Sequence, residues 1–320
     1  MGTYHLGVRI LFAGTPDVAL PALQHLLDSE HEVVGVLTRA PARRGRGRTL
    51  HPSPVAAAAE AAGVPVLTPT TLRNEAVIDE IRALGADVAA VVAYGLLVPP
   101  AALEAVPHGW VNLHFSLLPA YRGAAPVQRA LLAGEDVTGA TTFLLEKGLD
   151  TGPVIATMTE TIRPTDTSAD LLERLATAGA PMLTASLEAL VSGSTKPVPQ
   201  SPDGVSHAAK LDPPDAYVSF TTPALHVDRL VRATTPAPGA WTLLPGGVRL
   251  KLGPVSPRPD VTDLGPGAVR AGRREVLVGT ATHAVALGDV APAGKGWMAA
   301  DAWARGARLG DDVRLGQDAS

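Results

Sequence analysis

The sequence predicts an α/β protein, an open and mostly parallel sheet followed by a small β-barrel. Three observations lead there. Short apolar runs alternate with helix-like segments through the first 190 residues, the pattern of strands buried on both faces and joined by helices. A polar, Pro-rich stretch then interrupts the chain at 194–214. Beyond it come short strands separated by Gly/Pro turns, the signature of a small barrel. The division expected is a first domain over 1–195, a linker over 196–212 and a second domain over 213–320.

Val8–Ala13 is nearly all apolar and reads as a buried strand. Gly14-Thr15-Pro16 turns the chain into a helix ending near Asp28, and Glu32–Thr38 is the second strand. Residues 39–51 break the pattern. Arg39, Arg43, Arg44, Arg46 and Arg48 fall there with no acid among them, and Gly45 and Gly47 lie between. Planar guanidinium forks match phosphate oxygens, and glycine lets backbone approach closely. Val55–Ala62 is an Ala-rich helix stopped by Gly63, and Asn74 caps a helix reaching Leu84. Asp87–Ala93 is another buried strand, followed by Tyr94-Gly95-Leu96. Pro126 opens a helix running to Gly134, Thr138–Leu145 is a strand, and Met158–Pro164 is a strand and turn. Thr167 and Asp170 form a capping pair for a helix ending by Gly193. In the last third, 223–233 is an amphipathic helix. Trp241–Leu244 and Val248–Leu252 flank the hairpin turn Pro245-Gly246-Gly247. Strands at Ala268–Val269, Glu275–Val278 and Ala284–Leu287 follow.

Composition narrows the function classes. The chain has no cysteine, which excludes disulfides and thiolate metal sites and fits a reducing compartment. No apolar run approaches the ~20 residues needed to span a bilayer, and Met1–Gly7 lacks the basic start and apolar stretch of a secretion signal. A cytoplasmic protein with no membrane partner is expected. The net charge of −4 argues against a surface built as a whole for polyanions. Any nucleic-acid contact must be local. The last 108 residues carry +2 and the rest −6, compatible with such a contact in the second domain.

The chemistry centres on Val111-Asn112-Leu113-His114-Phe115-Ser116-Leu117-Leu118-Pro119. Residues 110–114 read as a strand, and alternation puts Asn112 and His114 on one face. An amide donor and an imidazole then stand together at the strand end, able to polarise a carbonyl and to handle a proton. Asp150, in Gly148-Leu149-Asp150-Thr151-Gly152, reads alone as a turn residue.

These residues resemble the formyltransferase family that uses 10-formyltetrahydrofolate. The shared features are Asn112-x-His114-x-Ser116-Leu-Leu-Pro119 and the Gly-x-Asp150-x-Gly loop. The runs Phe12–Asp17, Val92–Gly95 and Arg122–Arg129 match it too. The resemblance implies a Rossmann-like sheet with an OB-like C-terminal barrel that contacts tRNA. It implies Asn112, His114 and Asp150 as catalytic residues, with Asp150 taking the proton of the attacking amine. Ser116, Leu117, Leu118, Pro119, Tyr94, Gly95 and Leu96 would line the folate pocket, where the bulky Phe115 stands at a variable position. The acceptor implied is methionine carried on initiator tRNA, with Arg43, Arg44, Arg46 and Arg48 at the tRNA. No metal is expected, and a monomer is. With no cysteine and no second base beside Ser116, direct transfer is expected without a covalent intermediate.

Three other readings compete. A formyltransferase acting on an amino sugar or glycinamide ribonucleotide would share the catalytic trio, but needs neither an arginine loop nor a barrel. A nicotinamide-dependent oxidoreductase is disfavoured by the missing Gly-x-Gly-x-x-Gly after the first strand. A non-catalytic tRNA-binding protein has no use for Asn112, His114 and Asp150.

Overall fold

The computed structural model describes residues 7–44, 49–307, 309 and 313–316. They form two compact units whose segments interleave along the chain. The first takes the chain up to Gly123, Val137–Thr161 and Leu172–His207. The second takes Ala124–Asp136, Ile162–Leu171 and the chain from Ala208.

The strands of the first unit are β1 (Arg9–Gly14), β2 (Glu32–Leu37), β3 (Ala42–Arg44), β4 (Thr49–His51), β5 (Val66–Leu67), β6 (Val88–Val92), β7 (Trp110–His114), β8 (Val137–Leu144) and β9 (Val154–Thr161). Seven of them form one sheet in the order β5-β2-β1-β6-β7-β8-β9. β1 runs parallel to both β2 and β6, and β6 is parallel to β7, while β8 and β9 are antiparallel. Strand order therefore reverses at β1, and ligands of open α/β sheets bind beyond the carboxyl ends at such a point. Those ends are Gly14, Val92 and His114. Ile10–Ala13 are fully buried, as their apolar run predicts.

Helices α1 (Leu20–Leu27), α2 (Pro54–Ala61), α3 (Glu75–Ala83) and α4 (Pro100–Leu103) connect the strands. Ser53 caps α2 by accepting from the Ala56 N–H at 2.9 Å, and Asn74 caps α3 from Ala76 at 3.0 Å. Helix α5 (Pro126–Ala133) belongs to the second unit, and α6 (Ser168–Val191) continues through Pro181. Gly179 of α6 lies so close to Leu113 that an added Cβ would stand 3.1 Å from its methyl carbons. The Val111/Leu113 face of β7 is thus covered, and Asn112 and His114 look the other way.

Strand β9 begins four residues before the expected Met158. Its half-exposed, Thr-rich alternation disguises the start. The Pro-rich stretch after α6 is tied down. Val198 exchanges both backbone hydrogen bonds with Val154 at 2.8 Å, and the Ser206 carbonyl accepts from the Arg122 N–H at 2.9 Å.

In the second unit, α7 (Ala224–Thr234) packs against α5. Its strands are β10 (Trp241–Leu244), β11 (Val248–Leu252), β12 (Val255–Arg258), β13 (Val269–Ala271), β14 (Val276–Val278), β15 (Ala284–Leu287), β16 (Asp289–Pro292) and β17 (Met298–Ala299), followed by α8 (Ala300–Ala307). They form two antiparallel sheets, β10-β11-β16-β17 and β12-β15-β14-β13. Both contribute to one core with Phe220, Val231, Leu250, Val278, Val285 and Trp303. The sequence missed β12, β16 and β17, because Pro257 and Pro292 argue against strands and β17 has two residues. Within this unit the buried Arg232 pairs with Asp228 at 2.9 Å and donates to the Asp166 carbonyl at 3.1 Å. Burial pushes the Asp228 carboxyl up, and the Arg232 charge opposes it.

Candidate active site

The site grows from the end of β7. Asn112 is half-exposed, and its side chain makes no hydrogen bond among the described residues. His114, opposite Thr141 in the sheet, is 6% exposed, and its ring meets Phe143 edge-on at 6.3 Å. Strand β8 ends level with Val111, three residues back along β7. The loop after β8 folds back from there to bring Asp150 to the imidazole, with Asp150 Oδ2 3.8 Å from His114 Nδ1.

Main-chain groups hold this pair. His114 Nε2 lies 2.9 Å from the Tyr121 carbonyl. A carbonyl only accepts, so Nε2 carries the hydrogen and Nδ1 faces Asp150. The Gly123 N–H donates to Asp150 Oδ2 at 2.7 Å. Tyr121 and Asp150 have φ of 60° and 51°. With Ala93 at 49°, they are the non-glycine residues with positive φ among those described. Each costs about 1–3 kcal/mol and persists only where its surroundings enforce it. Ala93 directly follows β6, Tyr121 lies in the turn after β7, and Asp150 lies in the loop after β8. Burial pulls the His114 pKa below its ordinary value, opposed by the Asp150 charge and the Tyr121 carbonyl. The resting ring is therefore neutral at neutral pH, with a bare Nδ1.

The turn after β7 is fastened to β8. The Ser116 hydroxyl is buried and donates to the Ala120 carbonyl at 2.6 Å, so it folds the turn and is not free as a nucleophile. Thr141 Oγ1 donates to the Ser116 carbonyl at 2.7 Å and accepts from the Leu118 N–H at 3.2 Å. Leu117 packs on Gly139, where a Cβ would collide with it. Pro119 is half-exposed, and Phe115 is buried at 6% exposure.

Tyr94 packs in the core beside Val91 and Trp110, on the Asn112 side of the sheet, and Leu96 lies against the same cluster. Its hydroxyl is buried without a hydrogen-bond partner among the described residues. Burial pushes that hydroxyl's pKa up to about 12, against the nearby Arg39 charge. Gly95, at φ 82°, makes the turn, and Thr15 Oγ1 donates to the Tyr94 carbonyl at 3.1 Å. Arg43, exposed, and Arg44 lie on β3, paired antiparallel with β4. Arg46 and Arg48 lie outside the described residues.

Sequence reasoning missed the Tyr121 carbonyl, the Gly123 N–H and Gln200. Gln200 donates to the Asp150 and Gly152 carbonyls at 2.8 Å each and accepts from Arg122. A local signal existed in Arg122-Gly123, but none for Gln200.

A formyl transferase family model matches residues 8–187, and the model of the formyl transferase C-terminal domain matches 210–308. A methionyl-tRNA formyltransferase from Thermobifida fusca is 57% identical over 97% of this chain and all of that protein. The chain belongs to the methionyl-tRNA formyltransferase family. It is a formyltransferase of Rossmann-like architecture with a C-terminal unit of antiparallel sheets. Solved structures in the same fold include HypX from Aquifex aeolicus in complex with tetrahydrofolic acid, with TM-score 0.67 and 19% identity over 93% of this chain and 47% of that one. The sugar 3N-formyl transferase WlaRD matches with TM-score 0.66 and 16% identity over 91% of this chain and all of that one. At those identities they speak for the fold alone.

Proposed function

We propose that this protein transfers a formyl group from 10-formyltetrahydrofolate to the α-amino group of methionine on initiator tRNA. The observation that carries the reading is the buried His114–Asp150 pair, with Asn112 on the same strand face. The half-exposed Asn112 amide makes no hydrogen bond among the described residues and is left for a ligand bound beyond β6 and β7. The folate supplies an amide-like formyl carbon open to attack by an amine.

The residues divide the work. Asn112 donates to the formyl oxygen as it gains negative charge, a contact of a kind that contributes about 3 kcal/mol in other acyl transfers. His114 takes the amine proton at its bare Nδ1 as the new carbon–nitrogen bond forms. The imidazolium is then stabilised by Asp150 and becomes a second donor to the oxygen. When the old carbon–nitrogen bond breaks, Nδ1 returns the proton to the departing nitrogen. This reading moves the base from Asp150 to His114, because the Tyr121 carbonyl already engages Nε2. The buried, committed Ser116 hydroxyl supports direct transfer.

For the tRNA, the reading rests on the arginines of 39–48 and on one sheet face of the second unit. Leu250 and Leu252 face the core, so Arg249 and Lys251 face outward on β11. The Arg249 guanidinium sits 3.7 Å over the Trp241 ring, and Trp241 is paired with Lys251. Cations and aromatic faces together suit RNA phosphates and bases. An amino-sugar acceptor would need none of this. No described helix is long and apolar enough to cross a membrane, in keeping with a place in the cytoplasm beside the translation machinery. Incubation with 10-formyltetrahydrofolate and charged initiator or elongator methionyl-tRNA tests the reading. Formylation of the initiator species is expected, and a failure to formylate it would overturn the proposal.

A further inference from the structure

We infer that Gln200 is a positioning residue for the catalytic carboxylate, acting through the main chain of the Asp150 loop. The inference rests on the reading of Asp150 given above. It starts from an unfavourable backbone. Asp150 sits at φ 51°, so something must hold the loop in that conformation. The Gln200 side-chain amide does so from both ends. Its Nε2 donates to the Asp150 carbonyl and to the Gly152 carbonyl, each at 2.8 Å, and thereby spans the loop just past the catalytic carboxylate.

The other end of the amide is fixed as tightly. Gln200 Oε1 accepts from Arg122 Nε at 3.1 Å and from Nη2 at 2.7 Å. The orientation has no alternative, since a flipped amide would set its NH2 against a guanidinium and its oxygen against two carbonyls. Arg122 is itself placed between the two residues that grip the catalytic pair. Tyr121 accepts from His114 through its carbonyl, and Gly123 donates to Asp150 through its N–H. The same strut is anchored from the chain just past Gln200. Ser206 accepts from the Tyr121 N–H through its hydroxyl at 2.9 Å and from the Arg122 N–H through its carbonyl at 2.9 Å. His114, residues 121–123, Asp150 and Gln200 thus close a ring of hydrogen bonds around the 3.8 Å gap between imidazole and carboxylate. Gln200 is the member whose side chain links the Arg122 side chain of the strut to the main-chain carbonyls of the Asp150 loop. Loss of its NH2 frees two carbonyls and lets the loop relax from the left-handed conformation, which moves the carboxylate from Nδ1.

The test compares Gln200→Glu, Gln200→Met and Asp150→Asn in formyl transfer from 10-formyltetrahydrofolate to initiator methionyl-tRNA. Glutamate keeps an acceptor for Arg122 and lacks the NH2, so it isolates the contact to the loop. Both Gln200 variants are expected to lose kcat by about 10–100-fold, the scale of a misplaced catalytic group. KM for both substrates should stay within about threefold, and the melting temperature within ~3 °C. The His114 imidazole, followed by NMR, should titrate lower in Gln200→Met, because the carboxylate that favours its charged form has moved away and no new charge replaces it. Wild-type kcat in Gln200→Glu would overturn the inference, whether or not Gln200→Met folds, and so would a loss confined to KM. Full activity in Asp150→Asn would remove the reading of Asp150 and this inference with it. An inactive Asp150→Asn beside a fully active Gln200→Glu would remove the inference alone.

Discussion

His114 is held in a charge state that two of its neighbours resist. Burial lowers its pKa, while Asp150 and the Tyr121 carbonyl pull it up. We expect an NMR titration of the free protein to place His114 below the ordinary value of about 6.5 and Asp150→Asn to lower it further. A midpoint that rises in Asp150→Asn would contradict the arrangement. The sign for stability follows. A depressed folded pKa contributes stability that is present above about pH 6.5 and is lost as the pH falls through the folded value. Asn112→Ala, His114→Ala and Asp150→Ala should each lose most transfer activity, roughly 100-fold or more in kcat, with circular dichroism unchanged. Near-normal turnover in a folded His114→Ala protein would refute the assignment. Asn112 and His114 were legible in the sequence because a strand alternates and five residues sufficed to show it. The groups that hold the pair were not. A carbonyl at Tyr121 and an N–H at Gly123 carry no letter, and Gln200 stands in a stretch whose composition says only linker.

Hairpin β3–β4 presents Arg43 outward, with Leu50 opposite it 62% exposed. An exposed apolar side chain beside Arg43 suits a partner with both phosphates and base faces. Neutralising Arg43 and Arg44 together with Arg46 and Arg48 should raise KM for the tRNA by roughly tenfold or more, because the cations that neutralise phosphates are lost, and leave folate affinity unchanged. Equal loss of both would count against the loop. On β11 the same logic predicts that Arg249→Glu with Lys251→Glu weakens tRNA use more steeply at low salt than at high salt, read from KM across a salt series. The strands that escaped sequence analysis share a cause. β12, β16 and β17 are held by their neighbours' ladders rather than by propensity; a proline at a ladder position hides β12 and β16, and two residues are too few to show β17.

The order of segments along the chain does not follow the division into units. Helix α5 and residues 162–171 belong with the chain from Ala208, although α5 lies some ninety residues before α7. Pro126 at a first turn announced α5 and an amphipathic pattern announced α7, but no local pattern could announce that they pack together, since the pairing is a long-range contact. A fragment of residues 208–320 should therefore melt broadly and be cleaved by protease near α7, whereas the intact chain melts cooperatively. A sharp, protease-resistant fragment would contradict this. The pairing also bears on biogenesis. At about 5–20 residues per second of synthesis, α5 leaves the ribosome roughly 5–20 s before α7 does. During that interval Leu132, which packs against the core that α7 helps to build, waits for those neighbours to be made, so α5 is a stretch that a chaperone at the exit tunnel would meet.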